Sequence, residues 1–275
     1  DLAGRHHGLG RAARGRQRQQ LEQDVEFDVL ALEAKVVLGH AKLRLGDGRH
    51  HSPMLDILYR DDHLIAIDKP PGLLVHRSDI DRHETRFAVQ LLRDQIGRRV
   101  QPVHRLDRGT SGVLLFAKNE PTEKAVYEVF RRGDVWKTYL ALVEGAPPTP
   151  TGRIEAAIGR DPRDRKRMAI VPSHKGREAT SEYRTLETFP AHTLLEIHPI
   201  TGRTHQIRLH LAFLGCPVAG DSVYGRQHST IPLERHFLHA ARLEIRLHSE
   251  KLPRTFEAPL PVELARLLED LRQKE

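Results

Sequence analysis

HRLDRGTSGVLLFAKN, His104 to Asn119, sets one acid between two arginines at the mouth of an apolar run. Thr110, Ser111 and Gly112 carry a turn signal, and Val113–Ala117 is short, fully apolar and bounded, the pattern of a buried strand. Asp107 therefore stands at a sheet edge. Arg105 and Arg108 flank it, and a neighbouring positive charge favours the ionised carboxylate. Two readings fit these residues. In one, Asp107 is a structural acid that caps the turn, the simpler account of the stretch taken alone. In the other it is a nucleophile, since an ionised carboxylate can attack an anomeric carbon or an electrophilic ring carbon.

Working outward, short apolar runs alternate with turn residues. Leu55–Tyr59 and Leu64–Ile67 read as two strands, closed by Pro and Gly. Ala88–Ile96 has helical spacing and stops at Gly97, and Thr122–Arg132 presents Val126, Val129 and Phe130 on one face before Gly133. Val135–Val143 is β-rich, and Gly145–Gly152, with its three prolines, reads as a loop. Ala179–Leu186, Thr193–His198 and Arg242–His248 read as strands. Thr204 is placed to cap a helix over His205–Leu214, ended by Gly215. Pro261–Arg272 spaces Leu264, Leu267, Leu268 and Leu271 as a helix stripe. Strands outnumber helices without alternating strictly with them. The expectation is an α+β fold with a mixed, largely antiparallel sheet, flanking helices and a central cleft.

The first 53 residues differ from the rest, being rich in Arg, Gln, His and Gly. Within them only Leu30–Leu38 has a helical look. The expected division is a non-native or disordered extension over 1–53, a natural start at Met54, and one catalytic domain over 54–275.

The chain has 275 residues, 39% of them apolar and 29% charged, enough to bury a core and stay in solution. No apolar run approaches the roughly 20 residues a membrane helix needs, and the opening has no apolar signal core. A single cysteine, Cys216, excludes an intrachain disulfide, so a cytoplasmic protein is expected. In its apolar setting Cys216 reads as core. The net charge of +7 favours a polyanionic partner, nucleic acid first. There is no P-loop, Rossmann glycine motif, CxxC or GxSxG, so neither a nucleotide or redox cofactor nor a metal is expected.

Three further stretches hold candidates. In PITGRTHQIRLHLAFLG, Pro199 to Gly215, Arg208 lies early in the helix, where its guanidinium can reach an acid or phosphate. His205 and His210 are five apart, on different helix faces, which argues against a metal pair. Tyr139, within WKTYLALVEG, reads first as core, but a pocket position would offer a base a stacking face. The run RDPRDRKR supplies Arg163, Arg165, Lys166 and Arg167 for phosphate contacts, or else is a solvated loop.

Taken together these motifs resemble the RluA family of RNA pseudouridine synthases. HRLDRGTSGVLLFAKN is similar to its catalytic-aspartate motif, WKTYLALVEG to its KxYxAxVxG strand, GRTHQIRLHLAFLGCPVAGDSVYG to its C-terminal motif, and LIAIDKPPGLLVH to its opening. The motifs occur in family order from about Met54 to Pro261. The resemblance implies the pseudouridine synthase fold and an isomerase of uridine in tRNA or ribosomal RNA, acting without a cofactor and expected to be a monomer. It implies that Asp107 is the nucleophile, Tyr139 stacks on the uracil, Arg208 pairs with Asp107, and Ile207 packs on the base. Arg105 and His76, inside the matching motifs, become further substrate-binding candidates. The N-terminal S4 RNA-binding module common in the family is not recognisable in 1–53, and the sequence ahead of Asp107 looks like the S4-lacking, tRNA-modifying branch. The alternatives are a non-catalytic RNA-binding protein on the same scaffold and a glycosidase-like hydrolase, which would need a second carboxylate.

Overall fold

The apolar run behind Asp107 is the interior of a large sheet. The computed structural model describes residues 54–77, 83–164, 167–226, 231–247 and 250–274. The proposed extension over 1–53, with its candidate helix, lies outside them, as do Arg165 and Lys166.

The chain opens with β1 (Asp56–Arg60) and β2 (Leu64–Lys69), then α1 (Ala88–Ile96), the short β3 (Gln101–Pro102) and β4 (Ser111–Ala117). Next come α2 (Glu120–Arg132), β5 (Val135–Glu144), β6 (Thr151–Glu155) and a small hairpin of β7 (Ile158–Arg160) and β8 (Met168–Ile170). β9 (Thr180–Thr188), β10 (His192–Pro199), α3 (Gln206–Phe213), β11 (Leu238–Ile245), β12 (Arg254–Glu257) and α4 (Val262–Arg272) complete it.

The main sheet runs β1-β2-β4-β11-β5-β10-β9-β6, with β3 added to β4 and β12 to β11. Among the described strands of this sheet only β4 and β11 pair in parallel; the other pairings are antiparallel. That makes the fold α+β and largely antiparallel, as the sequence predicts. Every residue of β4 is buried, as expected of a strand covered on both faces. The join between β4 and β11 is very close. Gly112 has φ 112°, and a Cβ there would fall 2.2 Å from the Ala240 carbonyl oxygen, so only glycine fits.

Three apolar clusters hold the sheet. One packs α1 (Ala88, Leu92) on Ile65, Ile67, Leu114 and Phe116. A second packs α3 (Ile207, Leu211) on Ala141, Leu195 and Ile197. The third sets α2 (Val126, Val129) against Val113, Leu115 and Leu243. Tyr139 packs against both the first and the second, so it sits where the two meet.

Helix ends follow their caps. Gly97 and Gly133 close α1 and α2 in the left-handed region. The Asn119 side chain accepts from the Thr122 amide at 2.9 Å, which starts α2 two residues before the predicted Thr122. Some expectations need correction. Thr204 does not cap α3; the cap position is His205, in left-handed conformation with φ 56° and no side-chain cap. The predicted proline loop gives way to β6 at Thr151. β11 begins at Leu238, ahead of the predicted Arg242, because the buried His239 interrupts the apolar pattern yet is satisfied by Ser111 and the Ala258 carbonyl; His248, the predicted end, lies outside the described residues.

Candidate active site

Asp107 lies in the loop that leads into β4. Its carbonyl accepts from the Thr110 amide at 3.1 Å, closing the turn read from TSG. The loop is clamped from below by Lys69, the last residue of β2, which is fully buried. Its ammonium donates to the carbonyls of Pro70, Leu73 and Arg108 at 2.8, 2.9 and 3.3 Å. Burial pushes Lys69 down to about 7, against the opposing pull of the Asp107 charge. Thr110 is held in turn by His236, at 3.0 Å.

The two arginines that flank Asp107 in sequence are not its ion partners. Arg108 turns away to Glu84 at 2.6 Å and to the Gly72 carbonyl at 3.1 Å, joining the Asp107 loop to the turn after β2. Arg105 is exposed, near enough to His205 to oppose its protonation. The cation beside the Asp107 carboxylate is Arg208, whose Nη1 lies 3.3 Å from Oδ2. Arg208 is buried on α3 and is itself fixed by Asp221: Nε donates to Oδ2 at 2.7 Å and Nη2 to Oδ1 at 2.8 Å. That two-pronged pair is the strong form of the interaction. Asp221 Oδ1 also accepts the Val223 and Tyr224 amides at 2.9 and 3.1 Å. Burial alone would raise the Asp221 carboxyl; the bonds from Arg208 outweigh it and hold it below the usual carboxylate range. Asp221 is thus a fixed anion with both oxygens engaged, unsuited to the acid/base role that the hydrolase alternative needs.

His205 and Tyr224 complete the wall. The Arg208 guanidinium lies over the Tyr224 ring, 5.0 Å from its centroid. The Tyr224 hydroxyl accepts the Met168 amide at 3.2 Å and stands 2.8 Å from His205 Nδ1. His205 Nε2 faces Asp107 Oδ1 at 4.0 Å. Burial lowers the His205 pKa, so the ring is neutral at pH 7. Its left-handed backbone, rare outside glycine, is what turns it toward the site from the start of α3. Tyr139 is half-buried on β5. Burial and then the Asp107 charge raise its phenol above the ordinary value, so it presents a neutral ring.

Asp107, Arg208, Tyr139 and Ile207 are thus brought to the region where β4, β5 and α3 meet. Ile207 is buried in the cluster under α3. His76 is exposed, and among the described residues no hydrogen bond or ion pair ties it to Asp107. Arg163 is exposed at the tip of the β7–β8 hairpin, while Arg167 reaches back to the Val223 carbonyl and lies 5.5 Å from the Tyr224 ring centroid. Lys69, His205, Asp221 and Tyr224 are the residues that sequence reasoning left without a role. Three of them had a signal: a lysine closing an apolar strand before two prolines, and an acid and a tyrosine together inside DSVYG.

A family model described as RNA pseudouridylate synthase matches residues 63–213. An uncharacterized RNA pseudouridine synthase of Chloroflexus aurantiacus is 44% identical over 212 residues, covering 75% of this chain and 66%, about two thirds, of that one. The ribosomal large subunit pseudouridine synthase D of Xanthomonas campestris pv. campestris is 40% identical over 80% of this chain and 70% of its own length. The tRNA pseudouridine synthase C of Pasteurella multocida is 41% identical over 69% of this chain and 84% of its own. Among solved structures, human RNA pseudouridylate synthase domain containing 4 superposes with a TM-score of 0.64 at 27% identity, covering 79% of this chain and 93% of that one. The chain belongs to the RNA pseudouridylate synthase family, isomerases that act on uridine in RNA.

Proposed function

We propose that this chain converts a uridine of tRNA or large-subunit ribosomal RNA to pseudouridine, with Asp107 as the reacting carboxylate. The observation that carries the reading is the Asp107–Arg208–Asp221 chain, in which one buried guanidinium, locked by one acid, aims at a second acid that stays partly exposed. The reaction breaks the bond from uracil N1 to ribose C1′ and joins C5 to C1′. C5 loses its hydrogen to water and N1 gains one, so atoms and redox state balance with no added reagent. Attack of the carboxylate at C1′, attack at C6, and removal of a sugar proton all need Asp107 as an anion, and Arg208 favours that form.

The uridine must leave its stack to reach the carboxylate, at a cost of a few kcal/mol. Tyr139 returns part of that by stacking, roughly 1–3 kcal/mol per base. Arg163, Arg165, Lys166 and Arg167 are proposed to hold backbone phosphates, since such contacts position RNA without reading its sequence. The relatives are named for two different RNAs. Incubating tRNA and large-subunit ribosomal RNA, each tritiated at uridine C5, in separate tubes tests the proposal. Tritium released from one of them identifies the substrate class, and none from either would set the reading aside.

A further inference from the structure

Two residues before Tyr139 on β5, Lys137 meets the loop that enters α3. Its ammonium donates to the Thr201 carbonyl at 3.0 Å. A lysine has three such donors, and the other two have no partner among the described residues. Gly202 lies beside it, exposed, and even a Cβ there would come only to 4.0 Å from the Lys137 Nζ. Arg203 follows, its Nε anchored on the Glu178 carbonyl at 2.9 Å, and Arg177 is close enough to oppose its charge. Burial and then the Arg203 charge bring Lys137 down to about 8. Lys137 and Arg203 thus stand on either side of Gly202, with Arg177 next to Arg203. Glu178 is the acid felt by Arg203, and its carbonyl rather than its carboxylate makes the contact. The loop is held rigid from behind, where the Gln206 side chain accepts from Thr201 Oγ1 and the Arg203 amide and donates to the Thr180 carbonyl.

Position suggests the occupant. Lys137 and Tyr139 both point to the 199–207 segment, one meeting Thr201 and Gly202, the other packing in the cluster that holds Ile207. Two residues along a strand are about 7 Å apart, close to the span from a base to the phosphate of its own or the adjacent nucleotide. We infer that Lys137, Arg203 and Arg177 form a notch that takes one backbone phosphate of the RNA strand beside the nucleotide stacked on Tyr139. The inference rests on the synthase reading for the identity of that nucleotide. It adds a phosphate contact separate from the 160–167 hairpin.

The test measures binding in an Asp107→Asn background, so that no turnover is needed. Total tRNA and large-subunit ribosomal RNA are titrated separately over a range of salt. Losing one phosphate contact cuts the slope of log affinity against log salt by about 1. Lys137→Gln combined with Arg203→Gln is expected to produce that cut, and Lys137→Arg to restore it. Gly202→Asp, which sets a carboxylate beside the ammonium without touching the lysine, is expected to give the same loss. An unchanged slope in Gly202→Asp and in the double variant, or an equal loss in Lys137→Arg, would overturn the notch. With Asp107 intact, the double variant should raise KM and leave kcat near that of the parent. A parent that releases no tritium would instead count against the synthase reading, while the salt slopes still judge the notch.

Discussion

Arg208 serves two acids, and the distances separate the roles. Its bonds to Asp221, at 2.7 and 2.8 Å, fix the guanidinium; the longer 3.3 Å approach to Asp107 leaves that carboxylate free to react. A lysine can supply the charge but not the planar fork that spans both acids. Arg208→Lys is therefore expected to lose most of the single-turnover rate while RNA binding changes little, and full activity would remove Arg208 from the site. Asp221→Asn keeps the shape of the acid but drops its charge. It should lower kcat by tenfold or more through misplacement of Arg208, with KM nearly unchanged; a pure KM effect would contradict a positioning role. At this scale Asp107, Tyr139 and Arg208 were legible because the motifs around them match a family residue by residue. The ion partner was not legible from neighbours alone. Arg108 adjoins Asp107 in sequence, but it faces Glu84, and Arg208 arrives from 101 residues away.

Strands and helix starts carry the site, and their constraints are local. β4 brings the Asp107 loop to the sheet only because Gly112 lets β11 approach its backbone. Gly112→Ala should destabilise the protein by more than about 3 kcal/mol, since strain and overlap add; urea unfolding measures this, and a loss under 1 kcal/mol would mean the join yields readily. α1 and α2 were readable from period and caps, because each buries one face against a single apolar cluster, while α4 was readable from its leucine stripe and β5 from its β-rich run. β7, β8 and β12 were missed since three or four residues are too few to show a period. The start of β11 was hidden by His239, a polar residue whose hydrogen bonds lie in two distant segments. α3 was placed one residue early because nothing local signals a left-handed histidine ahead of a helix.

Across the whole molecule, several histidines are buried in neutral form. Burial lowers His104 to about 3, and His236 and His239 to about 4. Between those values and the ordinary 6.5 the unfolded chain binds more protons than the folded one, so stability rises with pH and is lost on acidification. Asp68 works against this: burial, then the Asp56 charge, raise it to about 7, so the folded state holds its proton more tightly over the same range. These three histidines less one carboxyl leave about two protons taken up on unfolding, and His192, His205 and His210, which burial also lowers, add to the uptake. Stability should therefore fall by at least about 3 kcal/mol per pH unit between pH 6 and pH 5. Urea unfolding at stepped pH checks this, and stability that stays level or improves on acidification would contradict it. Among the described residues no helix is long and apolar enough to cross a membrane.

The claim on which the rest depends is that Asp107 does the chemistry. It is tested most directly by single-turnover tritium release from C5-labelled RNA, with the wild-type protein and Asp107→Asn compared at equal RNA occupancy. Release by the wild type and none by Asp107→Asn is expected, with RNA affinity within about tenfold, because a reacting group serves the transition state more than the bound substrate. Asp107→Asn releasing tritium at more than a few per cent of the wild-type rate would contradict it.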